Sequence, residues 1–341
     1  ALAAAAERGV QVRVVLDGVG TPQVPRAWAQ RWTEAGVEWR IYDPIGALSL
    51  WFPTRWRRLH RKLCAVDRTL AFCGGVNLLD DHYDPHRRRR IEHPRLDFSV
   101  QVHGVLVQAI HDTMAQLWWR MQLSQQLRRS QVGEALETLR EPETAPVPEP
   151  RGRYRLVLRD NLRHRRSIQK SYLQAIGRAK REILIANAFF LPGGKLRRAL
   201  VRAAQRGVKV RLLLQGHYEY LLPYRAAYQV YGQLLSAGVE IVEYTPSYLH
   251  AKVAVIDSRW LTVGSSNLDP LSLLLAREAN IVAQAPAVAN DLRQALLRAM
   301  EAGGRVVNVG DYHRRAWFQR CLDWSAYALM RMAIFLTSRR Y

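Results

Sequence analysis

Two stretches of this 341-residue chain carry the same order of apolar and polar positions. Leu2 to Gly18 (LAAAAERGVQVRVVLDG) returns nearly unchanged as Leu200 to Gly216 (LVRAAQRGVKVRLLLQG), and Ala35-Gly36-Val37-Glu38 returns as Ala237-Gly238-Val239-Glu240. The pattern predicts helix, strand, helix, strand and then a hairpin in each half. A repeat this long is a domain rather than a solenoid unit, and two tandem α/β domains of about 150 residues fit the length. Ahead of the second copy, apolar patterning predicts a strand over Arg153 to Leu158, a helix over Ser167 to Lys180 and a strand over Glu182 to Ala188. The first copy has no such elements, because the chain opens at Ala1 inside its helix. The expectation is therefore a first domain that lacks its opening strand–helix–strand, through loss of an N-terminal segment.

Further along, Val105 to Gln126 reads as a helix carrying Trp118-Trp119, with a counterpart at Ala287 to Ala302. Ser130 to Arg151 is rich in Pro and Glu and poor in large apolar residues, as linkers are. The predicted divisions are a first domain over 1–126, a linker over 127–150, a second domain over 151–303 and a C-terminal segment over 304–341. That last segment mixes Trp317, Phe318 and Trp324 with arginines, and Arg331 interrupts its apolar stretch Ala326 to Leu336. It holds no uninterrupted apolar run of about 20 residues, so it reads as a membrane-interface segment, with a terminal helix packed on the domain as the alternative.

Charge narrows the partners. The formal net charge is +22, and the cations are mostly arginine; lysine occurs only at positions 62, 170, 180, 195, 209 and 252. An excess of this size calls for an anionic partner, either nucleic acid or an anionic lipid surface. The three cysteines, Cys64, Cys73 and Cys321, give neither a disulfide framework nor a metal-ligand spacing. Cys64 and Cys73, on the two arms of one hairpin, are expected to be small buried thiols in a reducing compartment.

The hairpin that closes each half carries the candidate chemistry. Leu59-His60-Arg61-Lys62 leads to Asp67 and then to Gly74-Gly75-Val76-Asn77, and Leu249-His250-Ala251-Lys252 leads at equal spacing to Asp257 and Gly264-Ser265-Ser266-Asn267. Two of the six lysines fall at matched positions, where Arg would not substitute freely. Strand side chains alternate faces, so His60 and Lys62 share one face, as do His250 and Lys252. Imidazole beside ammonium suits a phosphoryl group. Gly74 and Gly264 permit close backbone approach, and Asn77 and Asn267 are expected to return amide donors to the same pocket. Two facing halves would then form one site. One neutral His attacks phosphorus, the other protonates the leaving oxygen, and lysines and amides hold the non-bridging oxygens. Asp67 and Asp257 are grouped with the catalytic residues but are expected to orient the hairpin rather than transfer protons. The reading calls for no cofactor and no metal.

The motif pair His60/Lys62/Asp67/Asn77 and His250/Lys252/Asp257/Asn267 resembles that of the phospholipase D superfamily. The segments Phe72 to Asn77, Val263 to Ser272, Asn187 to Gly193 and Leu16-Asp17-Gly18 are similar to the bacterial cardiolipin synthases. The resemblance runs from Leu2 to about Ala302 and implies two tandem phospholipase D-like domains. Each would be a mainly parallel or mixed β-sheet flanked by helices, the two related by a pseudo-twofold around one active site. It also implies that His60 is the nucleophile and His250 the acid, with a carboxylate orienting each ring: Asp97 for His60 and Glu278 for His250. Where the superfamily has Ser in both motifs this chain has Gly75 and Ser265, so the Ser265 hydroxyl is expected to donate to the phosphate and Gly75 to have lost that donor.

The resemblance further implies phosphatidyl transfer. His60 would take a phosphatidyl group from one phosphatidylglycerol, and a second phospholipid's hydroxyl would receive it, giving cardiolipin with release of glycerol. Anionic phospholipids and a membrane surface are the implied partners, nucleic acid is disfavoured, and the location is the inner membrane of a bacterium, peripheral and on its cytoplasmic face. Leu48 to Arg58, with Trp51, Phe52 and Trp56, is an insertion before the first motif that could reach headgroups or pack in the core. A phospholipase D-type hydrolase, a nuclease or other phosphodiesterase, and a non-catalytic membrane-binding protein remain open as other readings.

Overall fold

A computed structural model describes residues 1–44, 58–84, 89–128, 153–160, 164–217, 221–269 and 276–338. Most of the linker and the insertion at 48–57 lie outside these residues. The first half runs α1 (Leu2–Glu7), β1 (Arg13–Asp17), α2 (Arg26–Glu34), β2 (Glu38–Tyr42), β3 (Arg58–Leu59), β4 (Lys62–Val66), β5 (Leu70–Gly74), β6 (Tyr83–Asp84), β7 (Arg89–Arg90), β8 (Ser99–Val102) and α3 (Val105–Arg128). The second half runs β9 (Tyr154–Arg159), α4 (Ser167–Arg178), β10 (Glu182–Asn187), α5 (Gly194–Gln205), β11 (Lys209–Gln215), α6 (Leu221–Ser236), β12 (Glu240–Tyr244), β13 (Lys252–Ile256), β14 (Trp260–Gly264) and β15 (Ala276–Gln284). It ends with α7 (Pro286–Gly303), β16 (Gly304–Val306), α8 (Val309–His313) and α9 (Trp317–Ser338).

One nine-stranded mixed sheet spans the second half in the order β16-β12-β11-β10-β13-β14-β15-β3, with β9 also on β15. Strand β10 explains its coherence. Its sequence EILIAN is buried at every position, the mark of a strand covered on both faces. It pairs in parallel with β11 and antiparallel with β13, welding the parallel strands to the motif hairpin. Helices α4, α5 and α6 cover one face through Ile168, Leu200 and Val230, and α7 covers the other through Ala289, Leu292 and Leu296.

The first half repeats the elements but not the sheet. Among its described residues no strand takes the place of β10. Consequently β1 and β2 form a two-stranded parallel sheet, and β4, β5 and β8 form a separate antiparallel one. The β1–β2 pair leans on α3 instead: the Arg40 guanidinium lies 3.9 Å from the Trp118 ring centroid and donates to the Trp118 carbonyl at 3.1 Å. Ala71, Cys73 and Val102 share a core with Leu156, Ala279 and Ile281, so the two halves are joined by buried apolar surface.

Three expectations need correction. The boundary after residue 303 falls inside the sheet, because Gly304–Val306 pairs antiparallel with β12 and α9 packs on α6. Helix α3 runs to Arg128, into the expected linker. Cys73 is buried as expected but Cys64 is exposed, since among the described residues no helical layer covers that face of β4 as it covers Ala254 on β13.

Candidate active site

Each motif histidine enters the site on a short extended segment, and a side chain from its own half fixes that segment. Asp17 Oδ1 accepts from the Leu59 backbone N–H at 2.9 Å, and Gln215 Oε1 accepts from the Leu249 N–H at 3.1 Å. These two residues close the equivalent strands β1 and β11, each followed by a glycine where a Cβ would meet the carbonyl of Tyr42 or Tyr244. The sequence marks Asp17 and Gln215 as matched positions of the repeat without giving either a role at the motif. Their matched positions in the repeat were the signal that both hold the motif.

The opposite half does the rest. The His60 N–H donates to the Arg277 carbonyl at 3.0 Å, and the His250 N–H donates to the Leu96 carbonyl at 2.8 Å. Each acceptor immediately precedes a carboxylate in the other half. His60 Nδ1 accordingly stands 3.1 Å from both Glu278 oxygens, and His250 Nδ1 stands 2.6 Å from Asp97 Oδ2. The expected pairing, Asp97 with His60 and Glu278 with His250, is therefore crossed. The reason is strand order. Within the second half β14 lies between β13 and β15, so the Glu278 strand is two strand spacings, about 10 Å, from its own motif strand. Across the junction, β15 pairs directly with β3, with Arg277 opposite Leu59.

With Nδ1 committed to a carboxylate, each ring turns Nε2 to the site, and a neutral imidazole in that tautomer presents a lone pair there. The histidine side chains stay 19% and 15% accessible, while Glu278 is fully enclosed. Lys62 Nζ donates to the His60 carbonyl at 2.9 Å, and Lys252 Nζ donates to the His250 carbonyl. Each ammonium is thus fixed beside its own imidazole, as the alternation of strand faces predicts. Tyr248, two residues before His250, adds a further tie between the halves: its hydroxyl donates to the buried Asp84 carboxylate at 2.8 Å.

Burial sets the protonation states. It lowers the His60 pKa, with Lys62 and Lys252 adding to the effect and Glu278 opposing it. His250 is lowered to about 4, by burial first and then by Lys252, against the pull of Asp97. Lys62 is lowered to about 7, mainly by burial and further by Lys252 and Arg58, while Glu278 opposes. Burial alone would raise Glu278, yet His60, Lys62 and the Ser265 hydroxyl together hold it below the usual carboxylate range. These directions favour neutral imidazoles at His60 and His250 and an ionised Glu278.

Several assignments change. Ser265 is fully buried and its hydroxyl donates to Glu278 Oε2 at 2.5 Å, so it supports the carboxylate instead of reaching phosphate. Gly75, its counterpart, has not lost a phosphate donor: a Cβ there would collide with the Asp97 carboxylate, and its smallness makes room for the group that holds His250. Asp67 and Asp257 leave the catalytic set. Both take left-handed turn conformations, with φ of 50° and 53°, at the far end of their strands. Asp257 is five residues past Lys252, about 16 Å along an extended strand. Its carboxylate accepts from the backbone N–H groups of Lys180, Arg181 and Glu182 at 2.8–2.9 Å.

The two asparagines also part company. Asn267 is buried, and its Oδ1 has no hydrogen-bond partner among the described residues, whereas Asn77 is exposed. Leu268, next to Asn267, is held because it bridges to Phe190 and its N–H donates to Oδ1 of Asn187, the last residue of β10, at 3.1 Å. No first-half strand offers the same anchor among the described residues.

The family model for the cardiolipin synthase phospholipase D-like domain matches residues 1–87 and 172–300, one stretch around each motif. The chain belongs to the cardiolipin synthases of the phospholipase D-like family. It is 36% identical over 330 residues to cardiolipin synthase B of Escherichia coli K12 and equally to that of Shigella flexneri, covering 93% of this chain and 74% of each relative. A cardiolipin synthase of Halalkalibacterium halodurans is 26% identical over 320 residues, 93% of this chain and 60% of the relative. The crystal structure of a phosphatidylserine synthase from Haemophilus influenzae shares the fold, with a TM-score of 0.60 over 98% of this chain and 91% of that one at 11% identity. The α/β architecture with a repeated phospholipase D-like unit thus stands as the sequence predicts.

Proposed function

We propose that this synthase transfers a phosphatidyl group between two phosphatidylglycerol molecules through a phosphohistidine. The supporting observation is the pair of imidazoles, each oriented by a buried carboxylate of the other half and each flanked by its own lysine. His60 Nε2 attacks phosphorus, and the bond from phosphorus to the glycerol headgroup oxygen breaks. His250 gives that oxygen a proton, which it takes on as the anionic phosphodiester enters and favours imidazolium. Glycerol leaves. The primary hydroxyl of a second phosphatidylglycerol then gives its proton to His250 and attacks the phosphohistidine, forming cardiolipin and freeing His60. Lys62 and Lys252, together with the Asn267 amide, take up charge on the non-bridging oxygens.

Anionic phospholipids at a membrane surface are the partners in this reading, on the cytoplasmic face of a bacterial inner membrane. In this reading the first unit covers residues 1–126, with α3 running on to Arg128, and the second begins at 151 and extends past 303, since Gly304–Val306 belongs to its sheet.

Vesicles of headgroup-labelled and acyl-labelled phosphatidylglycerol test the proposal. Wild type should release labelled glycerol and move acyl label into cardiolipin, and His60→Ala should do neither. Phosphatidic acid as the sole lipid product would establish a hydrolase. Turnover of oligonucleotides but of no lipid would establish a nuclease.

A further inference from the structure

Helix α9 buries one face and exposes an apolar one opposite. Asp323, Ala326 and Met330 are buried on the side that meets α6, with Asp323 neutralised by Arg225 and Arg315. On the outer side Trp317, Phe318, Leu322, Trp324, Leu329 and Met332 are 51–77% exposed. At about 100° per residue these six span an arc of roughly 160°, and no charged residue of α9 falls within it. Among the described residues nothing covers this second face, and an exposed apolar patch of this kind marks a contact surface.

The edge of the arc indicates the partner. Arg320 and Arg331 are exposed along one flank, and Tyr327 on that flank accepts a hydrogen bond from Arg197 Nη1 of α5 at 3.4 Å. Helix α5 carries exposed Lys195, Arg198 and Arg202 and no acidic residue. Aromatic and aliphatic side chains beside a rim of one positive sign are what a helix lying in the headgroup region of an anionic bilayer presents. A second copy of this chain, with the same charge of +22, would meet the rim with repulsion. No described helix is long and apolar enough to cross a membrane.

We infer that α9, with the basic face of α5, docks the protein in the plane of an anionic phospholipid surface. The inference rests on the lipid-transfer reading for its biological sense, but not for its test. Wild type, Trp317→Ser/Leu329→Ser and Arg320→Glu/Arg331→Glu would be sedimented with vesicles of phosphatidylglycerol and phosphatidylcholine, and with vesicles of phosphatidylcholine alone. All substituted positions are exposed, and matching thermal melts would confirm intact folds. Wild type should partition onto the mixed vesicles with a blue shift of tryptophan emission. The apolar double variant should bind at least tenfold more weakly. The charge-reversed variant should lose binding to the mixed vesicles, and raised salt should weaken wild type in the same way. All three proteins should turn over monomeric short-chain phosphatidylglycerol alike. Unchanged partitioning of both variants would overturn the inference, as would a wild-type dimer that these substitutions dissociate without altering lipid binding. Failure of wild type to turn over the short-chain lipid, with partitioning as expected, would sink the proposed function and leave the docking surface standing.

Discussion

The two motif hairpins have the same spacing but very different support. In the second half β13 lies against the fully buried β10, with Ala254 at 0% and Ile256 at 3% exposure. In the first half the matching positions are the exposed Cys64 and Val66, the latter 42% accessible, because no strand or helical layer stands on that face among the described residues. Yet His60 is held as firmly as His250. Its backbone is fixed by Arg277, its ring by Glu278 and its lead-in by Asp17. The contrast teaches that catalytic geometry in the first half depends on the junction with the second half more than on its own sheet.

Crossing the carboxylates should give the largest effects. Glu278→Gln and Asp97→Asn remove the acceptors that fix the two ring tautomers, and each should lower kcat by about 10²–10⁴-fold. Because Glu278 holds the His60 ring, Glu278→Gln should abolish trapping of phosphate on His60. Persistence of that adduct in Glu278→Gln, with its loss in Asp97→Asn, would restore the uncrossed arrangement.

Exchange of the small residues is the next test. Gly75→Ser would drive a side chain into Asp97, and Ser265→Gly would strip Glu278 of its hydroxyl donor. Both should slow turnover, by roughly 10-fold if a displaced carboxylate costs about 1.4 kcal/mol in the transition state. A Gly75→Ser enzyme of unimpaired kcat would show that the space beside Asp97 is not needed.

Stability should separate the turn aspartates. Asp257→Ala leaves three backbone N–H groups without their carboxylate and should cost about 3 kcal/mol in denaturant unfolding. Asp67 is exposed, and Asp67→Ala should stay within about 0.5 kcal/mol. Equal losses would mean that the first half carries a matching contact.

The pH dependence should be milder. Burial lowers Lys62 to about 7, so affinity for a phosphate analogue such as tungstate should fall as pH rises above 7 and the ammonium loses its charge. Affinity flat to pH 9 would place that titration higher. His250, lowered from 6.5 to about 4, works on the acid side. The unfolded chain takes up its proton first, so folding stability from this group is complete above about 6.5 and declines as pH falls toward 4. His250→Gln should lessen that decline.

The repeat, the motif pair and the elements of the second half from β9 to β14, with α7, were legible because periodicity and matched spacing are local signals. The strands predicted over Arg153 to Leu158 and Glu182 to Ala188 lie within one residue of β9 and β10. Partnership across the junction was not legible. Matching each histidine to a carboxylate in its own half follows from sequence order, whereas strand order puts Glu278 beside His60. The place of Ser265 was hidden for a related reason: its hydroxyl is adjacent in sequence to a motif but in space to the buried Glu278, to which it donates. The exposure of Cys64 depended on a layer that local patterning cannot count.

The crossed carboxylates have a consequence for how such a chain can change. A swap of parts about a twofold is the arrangement two identical subunits would have, and here both subunits are written into a single polypeptide. Each copy keeps a component the other cannot work without, so damage to Asp97 silences a histidine 153 residues away. Neither copy is then a spare. Duplication ordinarily frees one copy to drift, but in this protein the exchange binds both to a common fate.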